Sequence, residues 1–309
     1  LKIVSTSILL FVTLLFIPLF TWWFGTALGE KELIVLRKLI YIALGSVVYT
    51  FIVGELSRNN SQVDKLWSIL PIIYIWVVAY YSDFSSRLVV MGLLVTIWGV
   101  RLTANFALKG AYSIKFWDGE EDYRWKILRE KPEFKPSWKW SLFNLLFICG
   151  YQNVLILLFT LPALVAFQFQ EVPMGLLDYI AAGAMFFFIL FESVADKQHW
   201  DFQNGKWKLI NAGKPLPPLY NKGFLDRGLW AHSRHPNYFA EQAIWISFYV
   251  FSVAASGQWF NWSIIGCLLL IILFQGSSKF SEEISASKYP EYKNYQERVP
   301  QFIPLLKKN

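Results

Sequence analysis

Residues 229–245 read LWAHSRHPNYFAEQAIW and hold the polar side chains best placed to do chemistry. Arg234 and His235 stand just before Pro236, which suits the first turn of a helix because its missing N–H would be unpaired there in any case. Asn237, Glu241 and Trp245 follow at i, i+4 and i+8, a spacing that stacks them on one helical face. Free backbone N–H groups at a helix start, flanked by cations, attract an anion. The Asn just inside offers an amide donor and a carbonyl acceptor to a planar polar group. The segment therefore suits a ligand with an anionic tail and a polar, planar head. An Asn–Glu pair that staples two helices together is the structural alternative at the same spacing.

Other helix ends carry related groups. Glu192, Asp196, His199 and Gln203 in ESVADKQHWDFQ recur at helical spacing, so one face turns polar. Three of these are metal-ligand types, but hydrogen bonding to a polar ligand, or a solvated helix end, asks less of the pattern; no metal is expected. Arg101, Asn105 and Lys109 share a stripe in IWGVRLTANFALKG. The planar fork of Arg101 suits phosphate, whereas Lys109 fits a side chain reaching out to lipid headgroups. Glu55 interrupts an apolar run in FIVGELSRNNSQVDKLW, and Asp64 opens the next run, where it could also serve as a charge complementing a helix dipole. Glu282 and Glu283 lie close enough to the last apolar run to face the same cavity as Glu241.

The elements that position these groups are apolar. The 309 residues are 55% hydrophobic and only 17% charged, against about a quarter charged in soluble domains. Apolar runs at 3–24, 39–56, 66–81, 88–108, 142–167, 174–194, 238–255 and 260–275 approach or exceed the length that crosses a bilayer. The expected fold is an all-α, polytopic membrane bundle of seven to eight transmembrane helices, with residues 1–309 as one membrane domain and residues 1–50 supplying the first spans. The run at 3–24 exceeds a signal-peptide core, and no small-residue cleavage site follows PLFTWWF, so it is read as a span. With eight spans, 25 of the 29 Lys and Arg fall on one side, which places both termini and the basic loops in the cytoplasm. The net charge of +7 is then a topology signal and calls for no nucleic acid. Cys149 and Cys267 fall in apolar runs and are expected to pack in the core. Residues 110–140 mix charges with aromatics as an interfacial segment does. Gly and Pro punctuate 199–228 as an ordered loop. Rossmann, phosphate-loop, nucleophile-elbow and zinc-protease motifs are absent, and three histidines are too few for a histidine-rich di-iron hydroxylase.

RGLWAHSRHPNYFAEQAIW, followed about forty residues on by KYPEYKNYQERVPQFIP, resembles the C-terminal domain of the steroid 5-alpha-reductase family, and above all its uncharacterised domain-of-unknown-function branch. SQVDKLW, IWGVRLTANFALKG, EDYRW and ESVADKQHWDFQ match that branch in the same order, so the resemblance covers roughly residues 50–305. Delta-14 sterol reductases and isoprenylcysteine carboxyl methyltransferases are more distantly similar and share RHPxY. The resemblance implies an NADPH-dependent membrane oxidoreductase, with the cofactor enclosed by residues 190–305 and a lipid-like enone entering from the membrane. Hydride goes to the beta carbon while an acidic group polarises the carbonyl. Asn237 and Glu241 would contact the nicotinamide amide, with Asp196 and Gln198 beside them. Arg101, Arg124, Arg234 and His235 would meet the phosphates. Asn105, Tyr123, Tyr238, Glu282 and Glu283 would line the same site, and Tyr292, Tyr295 and Arg298 would close it. Glu55 resembles the carboxyl that holds the ketone; Asp64 competes for that role, and Tyr238 completes the catalytic set.

Two departures from the family pattern stand out. Ala240 is found where the family often has Gly, which narrows the close backbone approach there, and Trp98 is found where steroid-specific members offer a Tyr, which disfavours steroid against sterol, polyprenoid or fatty enone. The rival reading is an S-adenosylmethionine-dependent methyltransferase of the isoprenylcysteine type, which shares RHPxY, a downstream EE and the tyrosine- and proline-bearing tail. A non-enzymatic lipid-binding scaffold is the third. The expected setting is the bacterial inner membrane or endoplasmic reticulum, as a monomer embedded in the bilayer with its active site facing the cytoplasm.

Overall fold

The computed structural model describes residues 23–304, and every regular element among them is helical. Apart from single turns at Pro132–Phe134, Pro218–Asn221 and Gly228–Ala231, these are in chain order α1 (Glu30–Ser57), α2 (Gln62–Tyr81), α3 (Ser86–Leu108), the short α4 (Tyr123–Arg129), α5 (Ser137–Gln168), α6 (Leu176–Asn211), α7 (Pro236–Ser256), α8 (Trp262–Lys288) and the short α9 (Tyr292–Arg298). Six of them, α1, α2, α3, α5, α6 and α8, are long and apolar enough to cross a membrane. The protein is an all-α, polytopic membrane protein. The apolar run at 3–24 lies outside the described residues but for its last two. The run at 238–255 does form a helix of span length, α7, with 21 residues. It falls outside the six because Asn237, Glu241 and Gln242 dilute its apolar character.

Local chemistry explains where these helices bend and stop. α6 continues well past its apolar part and ends before Gly213, whose φ of +62° is open to glycine but strained for other residues. α5 is interrupted twice. Residues Asn144–Tyr151 form π-helical turns, and the helix restarts at Pro162, which has no N–H to continue the ladder.

The chain divides into two compact units. The first takes in the chain up to Gly183 together with Trp245–Ile272; the second comprises Ala184–Ile244 and the chain from Leu273 onward. In the first, Trp98 meets Trp245 edge-on at 5.0 Å and Phe159 packs on Trp245 at 4.1 Å between ring centroids. Gly266 lets α8 lie backbone-to-backbone on α5, since a Cβ there would sit 2.2 Å from the Phe159 Cα. Both cysteines are free and buried, as their apolar surroundings led one to expect. At the start of α3 and α6, Arg87 and Asp178 form a buried pair, 3% and 1% exposed. In the second unit Phe224, Tyr292, Tyr295 and Val299 form a small core, with Ala286 and Tyr289 against it. The i, i+3, i+7 spacing of the last three of those four core residues gives the α9 region one buried stripe.

Candidate functional site

In the second unit, α6 and α7 bring two polar stripes together. The Asn237 Nδ2 donates to Asp196 Oδ1 at 3.3 Å. One turn from that contact each helix carries a buried carboxyl group, Glu192 on α6 (4% exposed) and Glu241 on α7 (5% exposed). The Asn237 Oδ1 is buried and accepts no hydrogen bond. With its NH2 side given to the Asp196 carboxyl oxygen, the amide leaves its own carbonyl oxygen as the atom without a donor. Ala240, between the Asn237 and Glu241 turns, is fully buried. Beside this contact the rest of α6 holds the preceding loop. Gln198 Oε1 accepts from the Leu229 N–H at 2.9 Å, and Trp230 Nε1 donates to the Ala195 carbonyl at 3.0 Å while its ring stacks on His199. Gly228 makes this clamp feasible. Its φ is +61°, and a Cβ would lie 2.5 Å from Gln198 Oε1.

The cations that precede α7 point elsewhere. Arg234 Nε and NH2 donate to the two oxygens of Glu282 at 2.7 and 3.2 Å, and its NH1 donates to the Gln296 and Val299 carbonyls. His235 Nε2 lies 2.9 Å from Glu282 Oε1, and Gln296 Nε2 donates to Glu282 Oε2 at 2.8 Å. The backbone N–H groups of Arg234 and His235 donate to the Pro300 and Gln301 carbonyls. This lattice joins the RHPN turn to the C-terminal strip, and Tyr295 completes it by donating to the Trp230 carbonyl. Tyr292 and Tyr295 lie in the small core, while Glu283 and Arg298 are exposed, with the Arg298 Nε donating to the Asn294 carbonyl. Tyr238 differs from its neighbours. Its ring stacks on His235 and packs on Phe274, and its hydroxyl hydrogen-bonds to no described residue.

The remaining residues of interest belong to the first unit. Both Glu55 oxygens accept hydrogen bonds, from Ser141 Oγ at 2.6 Å and from Asn144 Nδ2 at 2.7 Å. Asp64 accepts from Trp125 Nε1 at 2.9 Å. Arg124 folds back on Asp122 through its backbone N–H, Nε and NH2. Burial works to raise the Asp122 pKa, but the charge and hydrogen bonds of Arg124 outweigh it and hold the carboxyl below its ordinary range. Tyr123 is exposed; Arg101 and Asn105 are half-buried on α3. Around them SRNNSQVDK is tied to residues 116–122. Lys65 is fully buried, its ammonium donating to the Phe116 and Asp118 carbonyls at 2.7 and 2.6 Å. Gln62 Nε2 donates to the Trp117 carbonyl, and Asn59 Nδ2 to that of Gly119.

Sequence comparison places this arrangement among related chains. The family described as "Protein of unknown function (DUF1295)" matches residues 50–299. The chain belongs to that family. It is also 37% identical over 284 residues to the Schizosaccharomyces pombe (strain 972 / ATCC 24843) protein described as "Uncharacterized protein C594.04c", covering 88% of this chain and 80% of that one. No solved structure matches. The family region includes the α6–α7 contact, the Arg234–Glu282 lattice and the Lys65 cluster.

Sequence reasoning overlooked several of these residues. Ser141 and Asn144 escape notice because short polar side chains scattered in an apolar run carry no spacing signal. Arg227, exposed beside Gly228 at the clamp on α6, stands in the Gly- and Pro-punctuated loop, where no spacing singles it out.

Proposed function

We propose that the chain is an NADPH-dependent membrane reductase of the steroid 5-alpha-reductase type, which saturates a carbon–carbon double bond conjugated to a carbonyl in a lipid-like substrate and faces the cytoplasm. The observation that carries this reading is the buried, unpartnered Oδ1 of Asn237, held open by the Nδ2 bond to Asp196. A buried acceptor without a donor costs about 1–3 kcal/mol, and a nicotinamide carboxamide offers the N–H that would satisfy it. Asp196 fixes the Asn237 amide in register, and Glu241 sets the polarity of the next turn.

Bound NADPH supplies the hydride. For the proton, Tyr238 is the best-suited member of the set Glu55, Asp64 and Tyr238. Polarising a carbonyl requires a donor; both Glu55 oxygens already accept, and Glu55 and Asp64 belong to the first unit while Tyr238 shares the second with Asn237. Tyr238 carries an O–H committed to no described residue and follows Asn237 directly. In this reading Arg234, His235 and Glu282 hold the turn against the tail and do not meet phosphate themselves. Arg227, on the exposed side of the Gly228 clamp, takes the phosphate role within the same unit.

Thermal unfolding in detergent, run in parallel with NADPH, NADH and S-adenosylmethionine, tests the assignment. Ligand at a hundred times its Kd adds about 2.7 kcal/mol of stability, a shift easily read. NADPH is expected to raise Tm and S-adenosylmethionine to leave it unchanged. Stabilisation by S-adenosylmethionine alone would establish the methyltransferase reading instead, and no shift with any of the three would leave a lipid-binding scaffold.

A further inference from the structure

The first unit carries a cavity whose lining is unrelated to the α6–α7 contact. It is an open cleft of about 470 Å³ lined by Arg129, Glu130, Phe134, Lys135, Ser137 and Trp140. Its floor is aromatic, with Phe134 meeting Trp140 edge-on at 5.5 Å and the Arg129 guanidinium lying 5.1 Å over the Trp140 ring. Arg129 is anchored by Glu121 and Asn60. Lys135 is exposed, and neither its ammonium nor the Ser137 hydroxyl hydrogen-bonds to any described residue. Glu130 is the one carboxylate in the lining, and it is exposed to solvent. The flanking chain is basic: Lys126, Arg129, Lys131, Lys135 and Lys139 face only Glu130 and Glu133 over residues 126–139.

The depth of this cavity follows from the helix it borders. Ser137 begins α5, a 32-residue apolar helix of spanning length, so its first turn stands where hydrocarbon gives way to headgroups. The surface nearby agrees. Ile114 (107% exposed), Trp117, Tyr123 and Trp138 project from the same unit, and Lys139 lies over the Trp138 ring. Water does not favour such a surface, whereas an interface that takes amphipathic aromatics and lysines does.

We infer that this cavity binds the phosphodiester headgroup of an anionic phospholipid. Lys135 and the Ser137 hydroxyl meet the phosphate, and Phe134 and Trp140 carry the glycerol and upper acyl atoms. Charge complementarity selects an anionic over a zwitterionic lipid, because the basic excess of residues 126–139 has no acidic counterpart of equal size.

The test uses the full chain in detergent, with thermal unfolding followed as phosphatidylglycerol, phosphatidylcholine or inorganic phosphate is added. Phosphatidylglycerol is expected to raise Tm well above phosphatidylcholine, and phosphate alone to leave it unchanged. Lys135→Gln, a surface change that leaves the fold intact, should raise the half-saturating phosphatidylglycerol concentration about fivefold, corresponding to roughly one cation at an anionic surface. Lys126→Gln, an exposed change outside the cavity, should leave it unaltered. The inference is overturned if both lipids stabilise equally, if phosphate alone suffices, or if Lys126→Gln weakens binding as much as Lys135→Gln.

Discussion

Asp178→Ala is expected to destabilise the protein by about 3–5 kcal/mol, the usual consequence of leaving one member of a buried ion pair without its partner. Arg87 donates through Nε and NH2 to the two Asp178 oxygens at 2.7 and 3.0 Å, and through NH1 and NH2 to the Val172 and Pro173 carbonyls. Asp178 also accepts from the Gly175 N–H at 2.9 Å. The pair thus fixes where α3 and α6 begin and ties both to the turn before α6. Removing the carboxylate strands a guanidinium that is 3% exposed. Reversible unfolding by denaturant in detergent measures the loss. The double variant Arg87→Met, Asp178→Leu should recover most of it, because apolar residues of similar volume often replace a buried pair at little cost. A loss below about 1 kcal/mol for the single variant would mean that the pair behaves as a solvated surface bridge.

Glu282→Ala is the second large effect, and it falls on the other unit. Glu282 accepts from Arg234, His235 and Gln296, and its side chain is 7% exposed. The two arms of the lattice, the RHPN turn and the residues after α9, meet at this one carboxylate. Its removal is expected to cost about 3–5 kcal/mol and to open residues 289–304 to protease before the spans unfold. Glu282→Gln keeps the shape but loses the charge assistance to Arg234, so it should fall between Ala and the native side chain. Protection of the tail unchanged in Glu282→Ala would show that the Phe224, Tyr292, Tyr295 and Val299 core holds it without the lattice.

Much of the fold could be read from hydropathy alone, because a bilayer demands long apolar helices and so leaves a strong signal. α7 is the instructive exception. It is a helix of span length whose polar residues Asn237, Glu241 and Gln242 dilute the apolar character by which spans are recognised. Glu55 and Glu241 also stood out, since each interrupts an apolar run. Their partners did not. Ser141 and Asn144 lie 86 and 89 positions from Glu55. No periodicity within one helix encodes which distant helix will face it. Arg234 and His235 looked like ligand cations because a helix start favours anions, yet the anion that reached them was the chain's own Glu282. The tail read as amphipathic, and its tyrosines proved to be core. Their i, i+3 spacing with Val299 four residues further on already described a buried stripe.

The reductase reading comes down to one atom, the unpartnered Asn237 Oδ1. Direct titration of the detergent-purified protein with NADPH, followed by nicotinamide fluorescence, tests it for the native chain and for Asn237→Ala. The expected result is saturable binding by the native protein, weakened about tenfold in Asn237→Ala by loss of roughly 1.4 kcal/mol, with the ligand-free Tm little changed. Absence of NADPH binding in the native protein, or equal affinity in the two, would contradict the assignment.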